Sequence, residues 1–457
     1  MVKFDLPIEE QFIKSLKYSP KRMVGIEVEF VAVKPNGRAV SWKQVQEIFR
    51  DFVKQGWEPV RDLGHGPIVG VKNKKKTNNW YDYILTDTGY CLLEIITAPM
   101  GNLHEIKQRF DEIKEKLAKT AKKYDTYILS YGIQPITPPS FKLLTPRQKY
   151  AFFRRISNPH PYQAGTTIIA SGQSNINLHD KDEAIMAFNL LSATVPVQTA
   201  LFANSPIWEG KIHPKYKVIR AVFWRGKYDP WRVGMPPRLF RNMEDYFRHI
   251  WSLETFLVKR NKKYYEVLRN PQFMFYLEYG GRGKPVEGKS DKVIALKPER
   301  EDIDLHNTFV WWDSRLKTTS STVYLENRDC ATQPPDEQMS VFAFHLGLAE
   351  NLAKLEKVMS TYHYNDLLDA RYEALTKTLK ASIKGEPITK LAKKLVDIAY
   401  DGLKKRGLKE EKYLDCLYDR IEHKESPADK MIKITKKGGI EALIRYNRID
   451  LAIKNKE

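Results

Sequence analysis

Residues 22–33 read RMVGIEVEFVAV, an apolar, strand-like run that carries two glutamates two positions apart, Glu27 and Glu29. Side chains alternate across a strand with period two, so both carboxylates fall on one face while Ile26, Val28 and Phe30 fall on the other. Such a strand must bury its apolar face and give its acidic face a polar surrounding. That favours a sheet packed on helices along one side and open to a polar hollow on the other.

The same arrangement recurs along the chain. TVYLENRDC (322–330) places Glu326 and Arg328 two apart in another strand-like run, SGQSNINLH (171–179) does so with Asn175 and Asn177, and CLLEIITAP (91–99) holds Glu94 between apolar neighbours. IVGVK (68–72) and DYILTD (82–87) read as further strands. In 102–124, Leu103, Ile106, Phe110, Ile113 and Leu117 recur at helical spacing. A helix is expected over 181–203 with an interruption near Pro196, and from Asp336 onward the pattern is nearly all helical, broken at KGEP (384–387). The expectation is an α+β fold: a curved, antiparallel β-sheet cradle backed by helices, with a catalytic domain over 1–350 and a helical C-terminal extension over 351–457.

Glutamates converging in one cradle repel one another, and burying an unpaired carboxylate is costly. Divalent cations resolve the conflict. Oxygen donors without His or Cys favour Mg²⁺ or Mn²⁺ over zinc, and an arginine beside them suits a phosphate or carboxylate. Each feature has a plainer reading. Glu27 and Glu29 can be a solvated strand face, Glu94 a strand-end charge, and Glu326 with Arg328 a cross-strand ion pair. Cys91 and Cys330 border these strands; a catalytic thiol or a thiol switch is set against simple core packing. The tryptophans of WWDSR (311–315) read as core anchors, and Arg315 as structural or anion-binding.

Composition narrows the classes. No run of about 18 uncharged apolar residues is present, so a membrane span is not expected. MVKFDLPIEE has no apolar core of a leader peptide, and the three cysteines are widely spaced, which together suggest a reducing, cytoplasmic setting without disulfides. The net charge of +20 raises nucleic-acid binding, yet no zinc finger, helix-turn-helix or aromatic RNA-binding strand accompanies it. A lysine-rich surface around a site for anionic small molecules is the preferred account. GGRGKP (280–285) lacks the spacing of a P-loop.

Eight motifs, in order, resemble those of glutamate–cysteine ligases of the plant and proteobacterial type, within the carboxylate–amine ligase, glutamine-synthetase-like superfamily. They are GIEVEF, IVGVK, LEIITAPMGNLHEI, GIQPITPPSFKLLTPRQKYAFF, SNINL, TALFANSPIWEGK, IRAVFWRGKYDPWRVGMPP and SRLKTTSSTVYLENR; ESPAD (425–429) is similar to the family's tail. The resemblance implies a glutamine-synthetase-like cradle and ATP-dependent ligation of the glutamate γ-carboxylate to cysteine through γ-glutamyl phosphate, the first step of glutathione-type thiol synthesis. It implies metal binding by Glu27, Glu29, Glu94 and Glu326, with Glu29, Asn177 and Lys72 toward ATP. Arg328 and Arg232 would act on the transferring phosphoryl group, and Arg220 and Arg315 would bind substrate. Small-molecule substrates are the expected partners, with no nucleic acid and no membrane. Against the family pattern, residues 175–179 read Asn-Ile-Asn-Leu-His in place of Q-V-N-L-D, the lead into Glu94 reads TDTGYCLL, and TTSST (318–322) is extra. A sister ligase using a different amine is the alternative.

Overall fold

The computed structural model describes residues 7–156, 161–225, 231–287, 292–318 and 322–454 of the 457. Residues 319–321, most of the TTSST insertion, lie outside the described set. Nine strands form the main sheet: β1 (Val24–Val33), β2 (Glu58–Arg61), β3 (Ile68–Thr77), β4 (Trp80–Thr86), β5 (Leu92–Ile96), β6 (Tyr127–Leu129), β7 (Gly172–Asn177), β8 (Ser314–Thr318) and β9 (Val323–Asn327). Their order is β8-β9-β7-β1-β5-β4-β3-β2, with β6 beside the end of β1. Every pairing in this sheet is antiparallel. The expected antiparallel cradle is the observed one.

The back of the sheet is covered because its residues leave no alternative. Ile26, Val28 and Phe30 are buried to 1% exposure or less. Phe30 stacks on Phe110 with ring centroids 6.1 Å apart. Phe110 sits on the helix Leu103–Lys122, whose Leu103, Ile106, Ile113 and Leu117 are buried in the same core. Each such side chain contributes about 1.5–3 kcal/mol on burial. Asn102 starts this helix by accepting a hydrogen bond from the His104 amide at 2.7 Å. The apolar stretch at 181–203 is two helices, Lys181–Ala193 and Val195–Leu201, and the break falls at Thr194, just before Pro196. Among the described residues no single helix is long and apolar enough to cross a membrane.

Three later helices matter for the site and are labelled here: α1 (Met339–Ala349), α2 (Tyr364–Lys377) and α3 (Ile388–Arg406). α1 is buried on every side, and α3 packs along it at a glycine crossing where Gly347 faces Gly402. Side chains from α2 and α3 join the same hydrophobic core as the sheet, including Leu367, Ala370, Leu391 and Leu395. The segment 351–457 is therefore woven into the body of the protein.

A second, four-stranded antiparallel sheet spans Leu257–Arg260, Lys263–Val267, Gly281–Pro285 and Ile294–Leu296. It carries a separate aromatic cluster of Tyr150, Phe152, Phe153, Phe256 and Phe309. Of the tryptophans in WWDSR, Trp312 is fully buried, whereas Trp311 lines a cleft.

Candidate active site

Strand register sets out the hollow face of the sheet. Across β1 and β5, Glu29 stands opposite Glu94 and Glu27 opposite Ile96. Across β1 and β7, Glu27 faces Gln173 and Gly25 faces Asn175. Asn175 in turn faces Glu326 on β9, which faces Arg315 on β8. Alternation along five strands thus brings Glu27, Glu29, Glu94, Glu326 and Arg315 to one side. They line a single cavity of about 400 Å³, together with Asp87, Lys149, Arg220, Lys317 and Arg328.

The acidic half is crowded. Glu29 accepts hydrogen bonds from the Ser171 amide at 2.6 Å, the Ser171 hydroxyl at 2.9 Å and the Gln173 amide at 2.9 Å. Burial, followed by repulsion from Asp87, still raises its pKa to about 8. Burial, then Glu27, Glu29 and Asp87, lift Glu94 well above the usual carboxylate range. Glu27 accepts a hydrogen bond from Asn175 at 2.7 Å. These groups gather more negative charge than the protein neutralises on this wall, and all their donors are hard oxygens, a set that fits a divalent cation. Among the described residues no three His, Cys, Asp or Glu side chains close into a ligand shell.

Glu326, expected as a metal ligand, is ringed by cations in this structure. Burial alone would push its pKa up, but Arg315, Lys317 and Arg328 hold it well below the ordinary range. The Arg315 Nε bonds it directly, with Lys317 Nζ at 3.1 Å and Arg328 Nη1 at 3.0 Å. Its oxygens are taken by cations, so it anchors the basic half. Arg328 also donates to Gln173 at 2.8 Å, and Arg315 to the Val310 carbonyl at 2.8 Å. Arg220 is 3% exposed and donates to the carbonyls of Asp329 at 2.9 Å and Arg328 at 2.6 Å.

Three expected residues stand apart from this cavity. Arg232 is buried in the protein body, donating to the Glu254 carbonyl at 2.6 Å with its guanidinium 4.3 Å over the Phe256 ring. It also donates to the Phe309 carbonyl at 3.3 Å, in the loop that leads into the WWDSR segment, and does not line the cavity where a phosphate or substrate contact was expected. Lys72 pairs with Glu58 at 3.0 Å and lies 4.4 Å over Tyr81, on the far strands of the sheet. Asn177 is engaged by backbone, accepting from the Met23 amide and donating to the Lys21 carbonyl, both at 2.6 Å. It lines a second cavity of about 310 Å³, walled by Trp80, Ile96, Pro99, Tyr324 and Glu27. Glu27 is common to both cavities.

Residue reasoning missed Asp87, Lys149 and Lys317. Asp87 sits in TDTGYCLL, where an acidic residue before the third carboxylate was the available signal. Lys149 lies in the RQKY segment, and burial, then Arg147, lowers its pKa to about 8. Lys317 shares the face of Arg315 by period two. Cys91 and Cys330 are packed in the hydrophobic core and do not line the cavity. Both are at most 1% exposed, and burial pushes the Cys91 thiol up to about 12 and Cys330 well above its usual value. Core packing is their role.

Residues 23–446 match the family described as glutamate-cysteine ligase family 2. The chain belongs to that family. As a family 2 glutamate–cysteine ligase it is an ATP-dependent ligase, and the expected resemblance is met. The chloroplastic glutamate–cysteine ligase of Nicotiana tabacum is 24% identical over 409 residues, covering 87% of this chain and 73% of the relative. That of Arabidopsis thaliana is 24% identical over 431 residues, covering 92% and 77%. The fold is shared with the glutamate–cysteine ligase of Francisella tularensis, solved in complex with AMP, at a TM-score of 0.58, 13% identity, and 96% and 90% coverage. A bifunctional glutathione synthetase from Pasteurella multocida aligns at a TM-score of 0.52 and 13% identity, covering 98% of this chain and 53% of that one. The cavity sets acids on one wall against cations on the other.

Proposed function

We propose that the chain joins the γ-carboxylate of glutamate to the amine of cysteine at the expense of ATP. The observation that carries this reading is one cavity in which Glu27, Glu29, Asp87 and Glu94 face Arg220, Arg315, Lys317 and Arg328. The adenosine of ATP lies in the second cavity, whose Ile96, Pro99, Trp80 and Tyr324 suit a flat aromatic base. Its phosphates pass Glu27, the residue common to both cavities, and reach the cations of the first. Glu27, Glu29 and Glu94 would hold a divalent cation, which would supply charge neutralisation at the phosphates.

Phosphoryl transfer needs positioning and charge stabilisation more than covalent help. The glutamate carboxylate attacks the terminal phosphorus, and ADP departs. Arg328 stays fixed by Glu326 and Gln173 while its remaining N–H groups face the transferring oxygens. Arg220 and Lys149 supply positive charge for the substrate carboxylates. The cysteine amine then attacks the acyl carbon, the C–O bond to phosphate breaks, and the amine sheds a proton as the amide forms. The cytoplasm is the proposed setting, since the free thiol of the acceptor needs reducing conditions.

Phosphate release from ATP with Mg²⁺ and glutamate, across a panel of amines, tests the reading. Stimulation chiefly by cysteine is expected, with γ-glutamylcysteine as product. Stimulation by another amine alone would replace the acceptor, and no release under any combination would overturn the ligase reading.

A further inference from the structure

The basic wall of the cleft is not held by the sheet alone. Asp313 directly precedes β8, which carries Arg315, and its carbonyl accepts the Arg328 amide at 2.7 Å. Asp329 directly follows Arg328 and gives its own carbonyl to Arg220. The two aspartates therefore flank the strands that carry the cleft arginines. They are 5% and 2% exposed. Two carboxylates this deep and this close repel each other.

One side chain meets both. Arg371 Nη2 lies 2.7 Å from Asp313 Oδ2 and 3.1 Å from Asp329 Oδ1. Asp329 Oδ2 is taken by the Thr199 hydroxyl at 2.7 Å, which fixes the carboxylate's plane. Arg371 is 4% exposed and belongs to α2, in the C-terminal region, far along the chain from the sheet it braces. The same helix touches the third arginine's support. Its Leu375 carbonyl accepts the amides of Lys217 at 2.9 Å and Val218 at 3.3 Å, just before the helix Ile219–Arg225 that presents Arg220.

We propose that Arg371 is a positioning residue for the ligase reaction: it clamps Asp313 and Asp329 together and thereby sets Arg220 and Arg328 at their places in the cleft. Arg371 is not among the residues that line the cavity, so its effect passes through the two aspartates. Both contacts come from Nη2, a hydrogen bond to Asp329 and an ion pair to Asp313; a lysine keeps the charge but, on a shorter stem, not the same reach to both carboxylates. The clamp also gives the C-terminal helices a part in the chemistry, since the cleft's basic wall is complete only when α2 is docked. The kinetic consequence rests on the function proposed above, whereas the geometric one does not.

The test compares wild type, R371M and R371K in crystal structures and in steady-state kinetics. In R371M the Arg220 bonds to the Arg328 and Asp329 carbonyls and the Arg328–Gln173 bond are expected to be displaced. For glutamate, kcat/KM is expected to fall about a hundredfold, the scale of a misplacement of about 1 Å. KM for ATP should stay within about threefold, because the nucleoside cavity lies on the other side of Glu27. R371K is expected to recover at least about tenfold of the loss. Unchanged Arg220 and Arg328 contacts in the R371M crystal would overturn the proposal, as would a fall in kcat no larger than the loss of folded fraction with both KM values unchanged. If R371M does not fold, R371K decides: an intermediate loss in kcat or in KM for glutamate, with KM for ATP unchanged, supports the clamp, and full wild-type kinetics refutes it. If wild type shows no glutamate-dependent turnover, the function falls, and the crystallographic contacts still decide the positioning.

Discussion

Glu27 and Glu326 lie on the same face of one sheet, yet their surroundings assign them different work. Glu27 is bonded by one neutral amide and is shared by both cavities. Glu326 is ringed by three cations. Glu27→Gln should therefore cut phosphate release by about a hundredfold or more while the thermal midpoint stays near wild type. Glu326→Gln should lose activity and also about 3–5 kcal/mol of stability, because the buried Arg315 and the half-buried Arg328 and Lys317 lose their anion. Equal midpoints for the two variants in thermal denaturation would contradict this division. A second residue-scale prediction concerns pH. Burial lowers the pKa of His345 to about 3, with Nδ1 2.9 Å from the Ser174 hydroxyl and Nε2 3.0 Å from Gln198. In the unfolded chain the same imidazole titrates near the ordinary value of about 6.5. Between these values the unfolded state binds a proton that the native state refuses, so stability is full above about pH 6.5 and falls as pH drops toward 3, by up to about 1.4 kcal/mol per unit. Comparing wild type with His345→Gln by unfolding at several pH values should show their difference narrowing as pH is lowered. A difference independent of pH would refute the linkage.

At the scale of elements, two of the C-terminal helices meet backbone on backbone. At the crossing of α1 and α3, a Cβ on Gly402 would run into the Gly347 carbonyl, and one on Gly347 into the Ala399 carbonyl. Helices approach this closely only where side chains are absent. Gly402→Ala must push the helices apart or tilt them, at an expected cost of about 1–3 kcal/mol. A urea melt reads it directly, and an unchanged midpoint would show that the crossing adapts freely. The strands behave differently. β1 pairs with β7 over Val24–Val28 and with β5 over Glu27–Val31, and its polar and apolar residues alternate from Ile26 to Phe30. A one-residue shift would send Glu27 and Glu29 into the core and Ile26 and Val28 into the cleft, which is why register here is strongly specified.

For the whole molecule, the expected boundary after residue 350 cuts through a continuous core. α2 and α3 contribute buried side chains to the cluster that also holds Ile26, Val28 and Phe30, and α2 supplies Arg371. A chain ended at Glu350 is expected to lose cooperative unfolding and all ATP turnover; a truncated protein with a sharp thermal transition would establish 351–457 as a separable unit. Mixing the truncated protein with the missing segment tests whether the two parts can reassemble.

Local patterns carried a large share of what is seen. Period-two alternation at 24–33, 172–177 and 323–327 gave the strands and the facing of Glu27, Glu29, Asn175 and Glu326, because strand geometry allows no other choice once one face is apolar. Helical spacing of Leu103, Ile106 and Phe110 gave the helix behind them for the same reason. The weakly patterned strand Glu58–Arg61 and the small sheet over 257–296 escaped notice, since short strands that are half-exposed leave little periodic signal. What alternation cannot tell is which distant charges meet across a face. Glu326 as a hub of three cations, Arg232 as a support inside the body, and the clamp of Arg371 on Asp313 and Asp329 depend on strand order and helix docking. The sequence by itself determined the cradle and the residues that point into it; only the tertiary structure decided which of those charges are neutralised by neighbours and which are left facing the cleft, because pairing between charges falls off within a few ångströms and those distances are set by long-range packing.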